Sequence, residues 1–176
     1  MSHDNHRKKQ TMKKVSFLGS YIAAIVAANA MTNALGLVSV LGLTVTAGTF
    51  VAGAALIIRD GVQNVGGKTF VFIAVGVGAI LSAATSNPHL ALASGLAFAA
   101  SEIVDFAVYS PLRKRNMPLA ILSSSIVAAP IDTVLFLHLA GFGLTGAAIV
   151  GQFVIKTALA AAVAGGLAWR FTSRGV

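Results

Sequence analysis

The chain has 176 residues, of which 56% are hydrophobic and only 10% are charged. Soluble domains carry about 25% charged residues, so this chain is too apolar for a water-exposed surface and lipid is the expected solvent. The formal charge of +8 would suit nucleic acid, but the basic residues lie at the ends of apolar runs instead of along one face, which argues against that partner.

Apolar runs recur along the chain, and about 20 such residues are enough to cross a bilayer as a helix. They predict six transmembrane helices, at Val15 to Ala34, Leu37 to Ile58, Thr69 to Thr85, His89 to Tyr109, Pro118 to Leu139 and Leu144 to Trp169. A re-entrant or broken helix between Thr32 and Leu43 is an open alternative, because no charge separates the first two runs. The predicted fold is an all-α integral membrane bundle of six helices, with a basic tail at 1–14, a six-helix transmembrane domain at 15–170 and a second tail at 171–176.

The basic residues predict the orientation of the bundle. They lie before the first run, between the second and third, between the fourth and fifth, and after the sixth. In that order the groups are Arg7 to Lys14, Arg59 and Lys68, Arg113 to Arg115, and Arg170 and Arg174. With six crossings all of these lie on one side, and the positive-inside rule places that side and both termini in the cytoplasm. We therefore expect a multi-pass protein of the cell inner (plasma) membrane whose first run is a signal anchor, not a cleaved signal peptide.

Ionisable side chains also occur inside the apolar runs, namely Glu102 and Asp105 on the fourth, Asp132 on the fifth and Lys156 on the sixth. A charge at the bilayer centre costs about 2.5–3.5 kcal/mol, so such groups are expected to face the bundle interior, each other or water. The simplest arrangement turns these three helices towards one another, with Lys156 facing one or more carboxylates. Further polar groups in the outer half are Asn29, Asn33 and Gln152.

Two readings of this polar cluster compete. A Lys156–Asp132 pair could merely lock helices together, but three acids against one base leave a costly surplus of buried charge, which a ligand site explains better. Arg59 and Asp60, at the inner end of the second run, are expected at the membrane interface, with gating of a cytoplasmic mouth as the alternative. No nucleophile–base arrangement, phosphate loop or metal-ligand spacing occurs, so we expect neither an enzyme nor a cofactor or metal.

Three segments, ASEIVDFAVYSPLRKRN, SSSIVAAPIDTVLFLHLAG and GQFVIKTALAAAVA, carry a family resemblance. Their Glu-x-x-Asp pair before a basic loop, Asp-Thr-aliphatic-aliphatic-Phe segment and Lys in the last helix resemble the vitamin uptake transporter (VUT) family of queuosine-precursor transporters. The match runs from about Tyr21 to Ala162. The resemblance implies uptake of 7-cyano-7-deazaguanine or 7-aminomethyl-7-deazaguanine, so the expected partners are a small deazapurine and membrane lipid.

The polar residues inside the apolar runs suit the chemistry of a deazaguanine. A carboxylate can accept hydrogen bonds from N1–H and the exocyclic amine, and an ammonium or amide can donate to O6. We expect Glu102 and Asp132 to hold the amine edge and Lys156 to orient or neutralise them. Asp105 is then a second acceptor or a proton site, and Asn29 is the preferred amide of the first run.

Two other functions stay open. The first is a substrate-binding S component of an energy-coupling-factor vitamin importer, which is also a small membrane protein with basic residues on its cytoplasmic side. Such a subunit docks its partner through an alanine-rich first helix, and the segment YIAAIVAANA of this chain has Ala23 and Ala27 four residues apart. The other alternative is a structural membrane protein whose polar cluster fixes helix registry. A homodimer is an open assembly state.

Overall fold

The computed structural model describes residues 2–173, except the side chains of residues 2–4, 6 and 170–173, so the side chains of Arg170 and Arg174 lie outside the described part. The described residues form six helices and one β-hairpin. In chain order these are α1 (Ser2–Leu35), β1 (Leu37–Val40), β2 (Leu43–Thr46), α2 (Thr49–Gly66), α3 (Lys68–Thr85), α4 (Pro88–Leu112), α5 (Met117–Leu139) and α6 (Gly146–Ser173).

Five of the helices are long and apolar enough to cross a membrane, namely α1 from Arg7 onwards, α3, α4, α5 and α6 as far as Trp169. The shortest, α3, has 18 residues, which span roughly 27 Å at about 1.5 Å per residue and thus nearly the whole hydrocarbon core. The prediction of a multi-pass helical membrane protein is confirmed for these five helices. The remaining helix, α2, carries two charged residues within its sequence, Arg59 and Asp60.

The second predicted span, Leu37 to Ile58, is wrong as a continuous helix. Its first ten residues form an antiparallel hairpin in which Leu37 pairs with Thr46 and Val40 with Leu43. The turn residues Leu41 and Gly42 both have positive φ angles, 52° and 78°, as a two-residue type I′ turn requires. The alternation of valine and threonine in LVSVLGLTVT favours strands, because β-branched side chains pack well on a pleated surface.

Helix α2 runs antiparallel to α1 and places the hairpin at one end of the bundle. A Cβ atom on Gly48 would overlap the Ala28 carbonyl oxygen, whereas one on Gly61, near the other end of α2, would meet the ring of Phe17. Only the hydrogen side chain of a glycine fits beside the Ala28 carbonyl at residue 48, so Gly48 lets α2 start in contact with α1. We call the end that carries the hairpin the hairpin end.

Basic side chains gather at the opposite end of the bundle. Lys14 Nζ lies 6.0 Å from the ring centroid of Phe70 at the start of α3, and Lys68 Nζ lies 4.9 Å from that of Phe106. Arg113 Nη1 donates a hydrogen bond to Asn64 Oδ1 near the end of α2, at 2.9 Å. These basic residues therefore share one end, as the positive-inside argument requires, and the assignment of that end to the cytoplasm remains a prediction.

Candidate functional site

The polar residues predicted to form one site are divided between two buried clusters. Helices α5 and α6 hold Lys156 and Asp132, whereas α2 and α4 hold a second group around Arg59. We call the first the lysine pocket and the second the arginine cluster. Both owe their position to helix packing, since α5 packs against α4 and α6, and α2 packs against α1 and α6.

The lysine pocket is centred on a buried ion pair. Lys156 Nζ donates to Asp132 Oδ2 at 2.6 Å and to Thr133 Oγ1 at 3.0 Å, and the two charged side chains are only 2% and 5% exposed. The expected contact between Lys156 and a carboxylate is therefore present. Asp132 is its partner, while Glu102 and Asp105 pair elsewhere.

A narrow cavity of about 20 Å³ adjoins this ion pair, which gives room for about one water molecule. The hairpin and every helix except α3 contribute to its wall, through Ala28, Asn29, Thr32, Thr46, Gly48, Thr49, Ala52, Ser94, Phe98, Asp132, Phe136, Gln152 and Lys156. The hairpin thus forms part of the wall that a continuous second helix was expected to supply. Thr46 and Thr49 hydroxyls share a hydrogen bond of 2.9 Å across the junction between β2 and α2.

Small residues let the hairpin and α2 approach α6 closely enough to build this wall. A Cβ atom on Gly53 would lie 2.7 Å from Leu159 Cδ1 and 3.5 Å from Lys156 Cα, and one on Gly151 would lie 2.5 Å from the Thr44 carbonyl oxygen. Contacts under 3 Å are too close for ordinary packing. Glycine at these positions therefore allows Lys156 to lie beside the hairpin end of α2.

Amide groups add hydrogen-bonding capacity to the lysine pocket. Asn29 Nδ2 donates to Ser82 Oγ at 3.0 Å, which ties α1 to α3. Gln152 is 1% exposed, and its Nε2 has no hydrogen-bond partner among the described residues. Because a buried donor without an acceptor costs about 1–3 kcal/mol, this amide is suited to a bound polar ligand.

Two aromatic rings, Phe98 on α4 and Phe136 on α5, also line the pocket. Phe136 packs in turn against Phe142 at a centroid distance of 6.1 Å. The pocket thus combines an ion pair, an unsatisfied amide donor and apolar rings, a composition typical of small-molecule binding sites.

The arginine cluster lies deep in the bundle, not at its mouth. Arg59 is 0% exposed, and its Nε lies 3.3 Å from Asp60 Oδ1 and 3.2 Å from Glu102 Oε1. Its Nη1 contacts Asp105 Oδ2. Arg59 and Asp60, expected at the interface or the cytoplasmic mouth, are instead both buried, Arg59 as the partner of the α4 carboxylates and Asp60 as a further partner of Arg59.

Polar contacts beyond the arginine cluster tie α2 to α4 at the end of the bundle opposite the hairpin, where Lys14, Lys68 and Arg113 lie and which we call the basic end. Asn64 Nδ2 donates to the Tyr109 hydroxyl at 3.0 Å, and Gln63 Nε2 donates to Ser110 Oγ at 3.2 Å. Together with the bond from Arg113 to Asn64, they link the two helices on the side away from the lysine pocket.

The structure brings together four predicted site residues, Asn29, Asp132, Gln152 and Lys156, around one cavity. It does not include Asn33, which is exposed on α1, and Thr32 lines the pocket in its place. Sequence reasoning missed the two phenylalanines and the threonines of the hairpin junction. Phe136 could have been found, because it follows Asp132 by four residues and so shares its helix face.

Comparison with protein families gives one match over most of the chain. The family model described as "Putative vitamin uptake transporter" matches residues 15–167 and so covers both clusters. No curated protein and no solved structure matches the chain. The extent of the family match, together with the membrane-spanning helices that enclose a polar pocket, shows that the chain belongs to the vitamin uptake transporter family.

Proposed function

We propose that this protein imports a queuosine precursor, 7-cyano-7-deazaguanine or 7-aminomethyl-7-deazaguanine, across the cell inner membrane, with both termini in the cytoplasm. The observation that carries the proposal is the Lys156–Asp132 pair beside the unsatisfied Gln152 amide and two phenylalanine rings. Family membership supports uptake of a small molecule, and the composition of the pocket supports a heterocycle with a guanine-like edge. In this proposal the protein is a transporter and catalyses no covalent step.

Each part of the pocket has a counterpart on a deazaguanine. The Asp132 carboxylate can accept N1–H and the exocyclic amine in a two-pronged hydrogen bond. Gln152 Nε2 or Lys156 Nζ can donate to O6. The rings of Phe98 and Phe136 offer apolar faces to the bicyclic base, and base–aromatic stacking contributes about 1–3 kcal/mol per base. In this proposal Asp132 alone holds the amine edge, a role first expected of Glu102 and Asp132 together, because Glu102 is occupied with Arg59.

The size of the cavity implies that it must widen to bind substrate. Its volume of about 20 Å³ is far below the roughly 300–1,000 Å³ of ordinary ligand pockets. The hairpin lies against the pocket and against α6, so its displacement would open the pocket at the hairpin end. The hydrogen bonds of Asn64 and Gln63 link α2 to α4 at the basic end, and in this proposal they keep that end closed while the hairpin end opens, so that the site faces one side at a time.

Uptake of a radiolabelled base by cells unable to make the precursor tests the proposal. We expect Asp132→Asn and Gln152→Leu to abolish uptake, since the first loses the paired acceptor and the second the amide donor, with protein levels in the membrane unchanged. Asn33→Ala is the matched control, because Asn33 is exposed and off the pocket, and it should transport like the native chain. Full uptake by both pocket variants would refute the assignment.

A second candidate, the S component of an energy-coupling-factor importer, is favoured by one observation. Ala23 and Ala27 are both exposed and four residues apart on α1, which provides a small-residue face suited to close helix–helix contact. Uptake that stops when ATP hydrolysis is blocked, while ion gradients are maintained, would support this candidate. Uptake by the purified chain alone in proteoliposomes would exclude it.

A further inference from the structure

The arginine cluster holds more negative than positive charge. Arg59 contributes one positive charge and contacts three carboxylates, Asp60, Glu102 and Asp105, so the group has a formal charge of −2 when all are ionised. None of these side chains is more than 4% exposed. Lys156, the other buried cation among the described residues, is engaged with Asp132. Since an uncompensated ion in a dry interior costs several kcal/mol, this excess must be neutralised by something that binds there.

The cluster also has unused acceptor atoms. Asp60 Oδ2, Glu102 Oε2 and Asp105 Oδ1 are buried, and among the described residues they make neither a hydrogen bond nor an ion pair. The Tyr21 hydroxyl on α1, also fully buried, has no hydrogen-bond partner in the described part of the chain and lies within electrostatic range of Glu102 and Arg59. Buried polar atoms are almost always satisfied, so this concentration of unsatisfied atoms points to a site that changes occupancy.

We propose that the arginine cluster is a proton-binding site, separate from the lysine pocket, and that its protons drive substrate accumulation. A proton on the Glu102 or Asp105 carboxylate converts an anion to a neutral acid that can donate a hydrogen bond to a neighbouring carboxylate oxygen. No other bond forms or breaks. The proposal rests on the proposed transport function and adds its energy source.

A proton fits this site better than a metal ion. Among the residues that the structure describes, no three His, Cys, Asp or Glu side chains are placed to hold a metal. A cation would also have to displace the Arg59 guanidinium, which already occupies the space between Glu102 and Asp105. A proton needs only one of the unused oxygens.

The two sites share the helices that would couple them. Phe98 of the lysine pocket lies one turn before Glu102 on α4, and Ala52 of the pocket lies two turns before Arg59 on α2. Any separation of α2 from α4 that admits substrate would therefore change the Arg59 contacts and alter the affinity of the carboxylates for protons. The other titratable groups around the cluster are Tyr21 on α1, Lys68 at the start of α3, Tyr109 on α4, Asp132 on α5 and Lys156 on α6.

Proteoliposomes of the purified full chain test coupling directly. An inward gradient of one pH unit is worth about 1.4 kcal/mol and supports about tenfold accumulation for each coupled proton. We expect the native chain to reach that ratio, and Asp105→Asn and Glu102→Gln to do no more than equilibrate the labelled base. Both variants should still exchange labelled for unlabelled base without a gradient, whereas Lys156→Met, which alters the pocket, should lose exchange. Accumulation that survives in both variants, that ignores the proton gradient or that follows sodium instead would overturn the proposal.

Infrared spectroscopy separates this proposal from the substrate assignment. The chain has only five acidic residues, three of them in the cluster, so a pH-dependent band of protonated carboxyl groups is straightforward to assign. In substrate-free protein this band should appear on acidification and shrink in both Asp105→Asn and Glu102→Gln. If the native chain shows the band but exchanges no deazapurine, the substrate is wrong and the proton site stands. If no such band exists in the native chain, the proton site is refuted whatever the substrate.

Discussion

Removal of the Lys156 ammonium gives the sharpest test of the lysine pocket. In Lys156→Met the stem of the side chain is retained, but Asp132 loses its 2.6 Å partner while it remains 4% exposed. Breaking a buried ion pair on one side costs about 3–5 kcal/mol, because the remaining charge is left uncompensated. At about 2–4 °C per kcal/mol for a chain of this size, the melting temperature should fall by roughly 6–20 °C.

The double variant Lys156→Met, Asp132→Asn should regain most of that loss, because no ion then remains buried alone. Thermal unfolding of the purified proteins in one detergent measures both shifts. Lys114→Met is the matched control, since Lys114 is exposed and surface substitutions usually change stability by no more than about 0.5 kcal/mol. Equal melting temperatures for Lys156→Met and the native chain, or strictly additive losses in the double variant, would refute the ion pair.

Uptake by the same double variant separates a ligand site from a simple helix lock. If the pair only fixes helix registry, recovery of stability should restore uptake as well. If the pair contacts substrate, the double variant should be stable and inactive, because the carboxylate that accepts the amine edge is absent. We expect a stable and inactive protein, and restored transport would favour the lock.

Two further predictions test the parts of the fold that position the pocket. In Gly48→Ala the new methyl group should overlap the Ala28 carbonyl oxygen, destabilise the protein by about 1–3 kcal/mol and impair uptake. Gly76→Ala in α3 is the control, because open space surrounds that residue. Its melting temperature should be unchanged or higher and its uptake unchanged. The chain has no cysteine, so Leu41→Cys at the hairpin tip, 98% exposed in the native chain, should react with an impermeant maleimide in intact cells, and Lys114→Cys only after permeabilisation. The reverse labelling pattern would invert the proposed orientation.

The sequence predicted the features that the bilayer itself dictates. Runs of apolar residues gave the membrane-spanning helices, because hydrogen bonding within helices is the main way to satisfy a lipid-exposed backbone. The pairing of Lys156 with a carboxylate was predictable for a similar reason, since isolated charge in lipid is costly. The sequence did not indicate that Lys156 pairs with Asp132 instead of Glu102, because the rotation of α4 relative to α6 depends on packing that residue spacing does not encode.

The hairpin escaped prediction because mean hydropathy cannot distinguish a buried strand from a buried helix. The segment LVSVLGLTVT is as apolar as a helix should be, and only its valine–threonine alternation and the Leu41–Gly42 turn indicate strands. The pocket-lining threonines Thr46 and Thr49 were missed with the hairpin, because they lie at the junction between β2 and α2 that a continuous helix does not have.

One error in helix boundaries also explains the misplacement of Arg59. A helix that ended at Ile58 would leave Arg59 at the membrane surface, but α2 starts at Thr49 and continues to Gly66, so Arg59 falls in the middle of the helix. With Arg59 and Asp60 inside the bundle, the count of buried ionisable groups rises from three acids and one base to four acids and two bases. One base neutralises one acid in the lysine pocket, and the whole surplus moves to the arginine cluster. A single polar site in this bundle would have to bind substrate and protons on the same carboxylates, whereas the two proposed sites, joined by α2 and α4, let substrate bind at Asp132 and protons bind at the α4 carboxylates.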